Sequence, residues 1–187
     1  DNDGNVMDRA WFCANVVLAN KLEFLKWARE VKQCEWDEQT IEAAITTGCL
    51  EMLKYCHSNG CPYDVGELRY YMHLAGCFGH LDCLRFLFDN MIPQDNMIPP
   101  PLLKYMERET AMDAAGYGHT DIFKYLVEER KISDEVKSQC MCNATRYGRL
   151  DCLKYLLGEE AKVPLNILQY VAYARYYEHP ECLNYLL

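Results

Sequence analysis

The chain has 187 residues, half of them apolar, and a formal net charge of −9. That apolar share suffices for a packed core, and the charge excludes a broad basic footprint for nucleic acid. No apolar run reaches the length of about 18 residues that a membrane-spanning helix needs, and the polar opening Asp1-Asn2-Asp3-Gly4-Asn5 does not read as a signal peptide.

Residues 1–10 are read as a polar leading segment, after which one pattern is written six times. An acidic residue marks each copy: Glu23, Glu51, Asp82, Asp121, Asp151 and Glu181, at spacings of 28, 31, 39, 30 and 30. Self-similarity at such a period is the signature of stacked repeats. The units fall at about 11–38, 39–66, 67–108, 109–136, 137–166 and 167–187.

Each unit begins with a helix. Cys13, Ile41, Met72, Ala111, Met141 and Val171 occupy one site, and Val16, Ala44, Ala75, Ala114, Ala144 and Ala174 follow three residues later. Apolar residues at i and i+3 share a helix face, and a recurrent alanine predicts a close helix–helix approach. Gly48, Gly79, Gly118 and Gly148 then mark the turn, with Asn20 and Glu178 at the same point of the first and last units.

The second helix reads apolar, acidic, apolar, apolar, basic, aromatic, apolar. Its basic site holds Lys26, Lys54, Arg85, Lys124 and Lys154, which predicts surface pairs with the acid three residues before. Its aromatic site holds Trp27, Tyr55, Phe86, Tyr125, Tyr155 and Tyr185, expected as core between units. Connectors follow: Cys34-Glu35-Trp36-Asp37 matches Cys61-Pro62-Tyr63-Asp64, and Lys131–Asp134 and Lys162–Leu165 come later. Between Asp82 and Asp121 a longer loop is expected, an insertion over 89–104 that contains the duplicated string Asp-Asn-Met-Ile-Pro.

These residues resemble the ankyrin repeat. Glu109-Thr110-Ala111-Met112-Asp113-Ala114-Ala115-Gly116-Tyr117-Gly118-His119 fits that family's Thr-Pro-Leu-His-x-Ala-Ala-x-x-Gly-His register, as does Tyr70–His80. The resemblance covers about residues 11–187 and is nearest to the divergent arrays of protists, algae and large viruses. The Thr-Pro dipeptide is missing from all six units, and the family histidine of the first helix appears only as His73. The fold implied is all-α, a solenoid of about six helix-turn-helix units. The histidines after the turn, His80, His119 and His179, are structural in that family.

The resemblance also implies that a partner is bound through the concave side, by the connectors and the residues just before the turn. There Phe78, Tyr117, Tyr147 and Tyr177 form an aromatic stripe, with Arg146 beside it and Trp36, Asp37, Tyr63 and Asp64 on the connectors. The stripe reads two ways: as a contact surface, since aromatics bury much area with few rotors, or as packing on the next unit.

No nucleophile-elbow, phosphate-loop or dinucleotide signature is present, so no catalytic residue and no cofactor is assigned. Cys49, Cys56, His57 and Cys61, and the pair Cys140 and Cys142, are the nearest approach to a metal set. Zinc needs four converging ligands, and Cys56 occupies a core site, so no metal is assigned. Most of the 11 cysteines fall in buried apolar sites and are read as reduced thiols.

The expectation is a non-catalytic scaffold that binds a protein partner in a reducing intracellular compartment. The cytoplasm is the first choice of compartment, with the nucleus and organelles left open. The alternative is a structural subunit of a larger assembly, and a zinc or thiol redox protein stands further off.

Overall fold

The computed structural model describes residues 9–93, 98–158 and 167–187. Among them all regular structure is helical: α1 (Arg9–Leu18), α2 (Leu22–Glu30), α3 (Glu38–Thr46), α4 (Leu50–Ser58), α5 (Leu68–Phe78), α6 (Leu81–Phe86), α7 (Pro100–Tyr117), α8 (Thr120–Glu128), α9 (Asp134–Arg146), α10 (Leu150–Leu157), α11 (Ile167–Tyr176) and α12 (Pro180–Leu186). Residues 1–8 of the expected leading segment lie outside the described residues, and Arg9 and Ala10 already belong to α1. The connector Lys162–Leu165 and the second Asp-Asn-Met of the duplication also lie outside them.

The chain divides into two compact units, Asp1–Ala75 with Asp82–Gln94 and Gly76–Leu81 with Asp95–Leu187. In the first, α1 packs on α2, α3 on α4, and α1 on α3. In the second, α7, α9 and α11 lie side by side, each also packed on the helix that follows it, while α8, α10 and α12 form their own row. A short helix hides only one stripe of side chains, so the pair must lean on its neighbours to complete a core.

The alanine site behaves as its chemistry demands. Ala44, Ala75, Ala114, Ala144 and Ala174 are fully buried, where a longer side chain would push the helices apart. The turn residues adopt a left-handed backbone in all six pairs, including Asn20 and Glu178 at φ 53° and 58°. The acidic sites stay exposed, and Lys26 and Lys54 reach Glu23 and Glu51 at 2.8 and 3.2 Å.

Two expectations are corrected. The aromatic site of the second helix is core only at Tyr125; Trp27 and Tyr185 are exposed. Tyr55 and Tyr155 are half-buried because each points its hydroxyl outward, donating to Glu30 and Glu128 of the preceding pair at 3.1 and 2.8 Å. The insertion, in turn, is not loop throughout. Leu87–Met91 forms a π-helical turn, and residues 100–104 are the first turns of α7, which runs for 18 residues. Proline is compatible with a helix's first position because the N–H it lacks has no intrahelical partner there.

The extension of α7 carries a buried ion cluster. Glu107 is fully buried. Its carboxylate accepts from Lys104 Nζ at 2.7 Å and from Arg130 at 2.7 and 2.9 Å. A charge removed from water in this way is tolerable only when paired on both oxygens.

Candidate functional site

Phe78 ends α5, Tyr117 ends α7, Tyr147 follows α9, and Tyr177 follows α11. Each precedes a left-handed turn residue, which makes the chain reverse and leaves the ring at the mouth of the turn. These rings are 50, 56, 52 and 37% exposed. All four belong to the second unit.

The row is held by one repeated contact. Nε2 of His119 donates to the carbonyl of Cys77 at 2.8 Å, Nε of Arg149 to Gly116 at 2.9 Å, and Nε2 of His179 to Arg146 at 2.8 Å. A carbonyl can only accept, so the proton sits on Nε2 in both imidazoles. Each link crosses from one helix pair to the one before. The histidines thus tie neighbouring pairs together, and Arg149 does the same work where the sequence departs from histidine.

Ring contacts brace the aromatic residues. Phe78 lies parallel to His80 and Tyr117 to His119, with centroids 6.3 and 6.4 Å apart. Tyr147 lies over Gly116, where an added Cβ would come within 3.4 Å of its ring. The Arg146 guanidinium sits over Tyr177 and Tyr173, 5.3 and 5.7 Å from their centroids, an attraction of cation for ring face. The rings therefore pack on a neighbour through one face or edge and keep about half their area open.

Between Tyr117 and Tyr147 the surface dips into a cleft of about 250 Å³, lined also by Met112, Asp113, Gly116, Asn143 and Arg149. Asn143 Nδ2 donates to the Met112 carbonyl across its floor at 3.1 Å. The cleft combines two aromatic walls, a carboxylate and a guanidinium, a mixture that suits a polar polypeptide surface more than an apolar small molecule.

The connector residues belong to the first unit and are occupied with holding it. Asp37 caps α3 by accepting from the Gln39 N–H at 3.1 Å, and Asp64 caps the next turn through the Gly66 N–H at 2.7 Å. Tyr63 is half-buried, with its hydroxyl 3.5 Å from the Met91 carbonyl. Trp36 is buried, roofed by the Arg29 guanidinium at 4.0 Å and met edge-on by Tyr55. Trp36, expected at the partner surface, is thus placed within the packing of its own unit.

Among the residues weighed and set aside as a metal set, the Cys61 thiol donates to the Asp37 carbonyl at 3.2 Å and lies against Cys56. The Cys56 contact first, then burial and the charge of Asp37, push it well above the usual thiol range. The ring of His57 packs on Tyr63 and Phe86. Burial likewise holds the Cys140 thiol up at about 12. These groups are arranged as packing side chains, each with its own neighbours.

Sequence reasoning missed the Arg149 link and the Glu107 cluster. The first was legible as the fourth member of the site that holds His80, His119 and His179. The second left only a Lys104-to-Glu107 spacing of three, which is common on any helix. No protein-family model matches this chain, and comparison with curated proteins finds no match.

Proposed function

We propose that the chain is an ankyrin-like helical solenoid that acts, without catalysis, as a scaffold for a protein partner, in a reducing compartment. One observation carries this reading: Phe78, Tyr117, Tyr147 and Tyr177 recur at the same point of successive helix pairs and keep about half their surface open to solvent. Scattered exposed aromatics are ordinary, whereas four in register on ordered turns make a row that a second polypeptide can cover. Tyrosine contributes large contact area with little rotamer entropy to lose, and the left-handed turns and inter-pair hydrogen bonds hold the row in position before binding. Arg146, Asp113 and Arg149 supply the polar contacts around it. Asp37, Tyr63 and Asp64 serve chiefly to fix the connectors from which the first unit would add contacts.

The test has two steps. The chain is used as bait, and bound proteins are identified and re-purified. Binding of each is then measured by calorimetry against wild type and Tyr117→Ala/Tyr147→Ala. The reading expects at least a tenfold loss of affinity with helix content unchanged by circular dichroism. Full affinity in the double variant overturns it, as does melting of the fold with no separable effect on binding.

A further inference from the structure

The first unit holds a second concavity, a groove of about 420 Å³ between α1 and α3. One wall is Trp11 and Leu18, and the other is Glu38 and Glu42, with Asn15 on the α1 side. Trp11 is 57% exposed, an unusual position for the largest side chain. Glu38 and Glu42 are one helical turn apart, a like-charge spacing that weakens a helix. Neither they nor Glu67 pairs with a cation among the described residues.

The negative field reaches inward. Burial and the charges of Glu38, Glu67 and Asp37 raise the Glu42 carboxyl above its ordinary range. Tyr71 on α5 is fully buried, and its hydroxyl makes no hydrogen bond of ordinary distance and angle. The charges that act on this hydroxyl are those of Glu42, Glu38 and Glu67. The like charges of Glu38 and Glu42, unpaired on one wall of the groove, are destabilising by themselves. A cation entering from outside would relieve them.

We infer that the groove between α1 and α3 receives an arginine side chain from a basic polypeptide segment. The indole of Trp11 lies against the guanidinium plane, and Glu38 and Glu42 accept its hydrogen bonds. Arginine fits this set better than lysine because its planar fork both stacks on a ring and bridges two carboxylates. Complementary charge of this kind sets specificity and association rate. This site belongs to the first unit and does not need the aromatic row of the second to be a binding surface.

The probe is a fluorescein-labelled peptide of arginines alternating with glycine, read by anisotropy at about 0.15 M salt, where diffuse attraction is screened beyond roughly 8 Å. The expected result is saturable binding that weakens at least tenfold in Glu38→Gln/Glu42→Gln and at least fivefold in Trp11→Ala. The control Glu23→Gln/Glu51→Gln, with the same charge change on α2 and α4, should stay within twofold of wild type. The lysine peptide should bind more weakly than the arginine one. Equal losses in both double variants would mean diffuse attraction and overturn the site. Unchanged binding in Glu38→Gln/Glu42→Gln would do the same, as would calcium at millimolar concentration competing in wild type alone, which marks a cation site instead. Glu38→Gln/Glu42→Gln removes no packing, so it decides the question even if Trp11→Ala fails to fold.

Discussion

The imidazole of His119 lies so close on Gly79 that a Cβ at that glycine would stand 2.5 Å from Nδ1. Gly79 also has φ +78°, so two independent reasons select glycine here. One is the left-handed backbone, and the other is the next pair's histidine. Gly148 and His179 repeat the relation, with 2.6 Å for the same hypothetical contact.

Gly79→Ala should therefore cost more than a left-handed alanine alone. That backbone costs roughly 1–2 kcal/mol for an L residue, and displacing His119 forfeits its hydrogen bond, about 1 kcal/mol more. Gly60 has φ +73° with nothing within 4 Å of an added Cβ, so Gly60→Ala should show only the first cost. Urea unfolding of the two variants measures the difference.

The Glu107 cluster should respond asymmetrically. Arg130→Ala leaves the buried Glu107 carboxylate with only the largely solvated Lys104 and should cost about 3–5 kcal/mol. Lys104 is largely in water, so Lys104→Ala should cost less than about 1 kcal/mol. The double variant Glu107→Met/Arg130→Met should recover most of the loss, since an apolar pair of similar volume needs no partner. Denaturant midpoints of the four proteins test the ordering.

Alkaline pH should destabilise the fold through its thiols. Burial raises Cys13 to about 11 and Cys83 and Cys140 to about 12 from an ordinary 9.0. The unfolded chain sheds these protons first, so stability present below pH 9 is lost progressively as pH climbs toward 11–12. The urea midpoint should fall steadily from pH 8 to pH 10.5. The fall should be shallower in Cys83→Ala/Cys140→Ala, whatever that variant's starting stability.

Glu42→Gln should make the protein more stable at neutral pH, by a few tenths of a kcal/mol, because it removes a like-charge pair on α3. The raised carboxyl sets the sign: the ionised form is the disfavoured one in the fold, so the gain should vanish at pH low enough to protonate Glu42. Thermal melts at pH 7 and pH 3.5 measure both halves. A stability gain on neutralising this half-buried acid would mark a position where the fold lies short of its stability optimum.

The helix pairs and their turns were legible because they rest on local rules: an apolar face every three or four residues, an alanine where helices touch, a left-handed residue where the chain reverses. Glu178 obeyed the turn's geometry although its residue type argued against it. The extended α7 was hidden because prolines at 99–101 signal a loop and a helix start equally well. In the candidate sites, the row of Phe78, Tyr117, Tyr147 and Tyr177 followed from register alone, but its half-open state did not, since exposure depends on which neighbour covers each ring. The burial of Trp36 was hidden for the same reason, since the Arg29 that roofs it is not marked by the pattern. Glu38, Glu42 and Trp11 come from two units of the repeat, and nothing in either stretch announces the other.

The link from His119 to Gly79, and from His179 to Gly148, means that a helix pair is not self-sufficient as a piece of heredity. The glycine is encoded in one segment and the ring that demands it in the next. An ancestral duplication or deletion could join segments freely only where both halves of that lock came along. Shuffled orders are therefore restricted to those in which a small turn residue is always followed, roughly thirty to forty codons later, by a side chain able to lie flat on it.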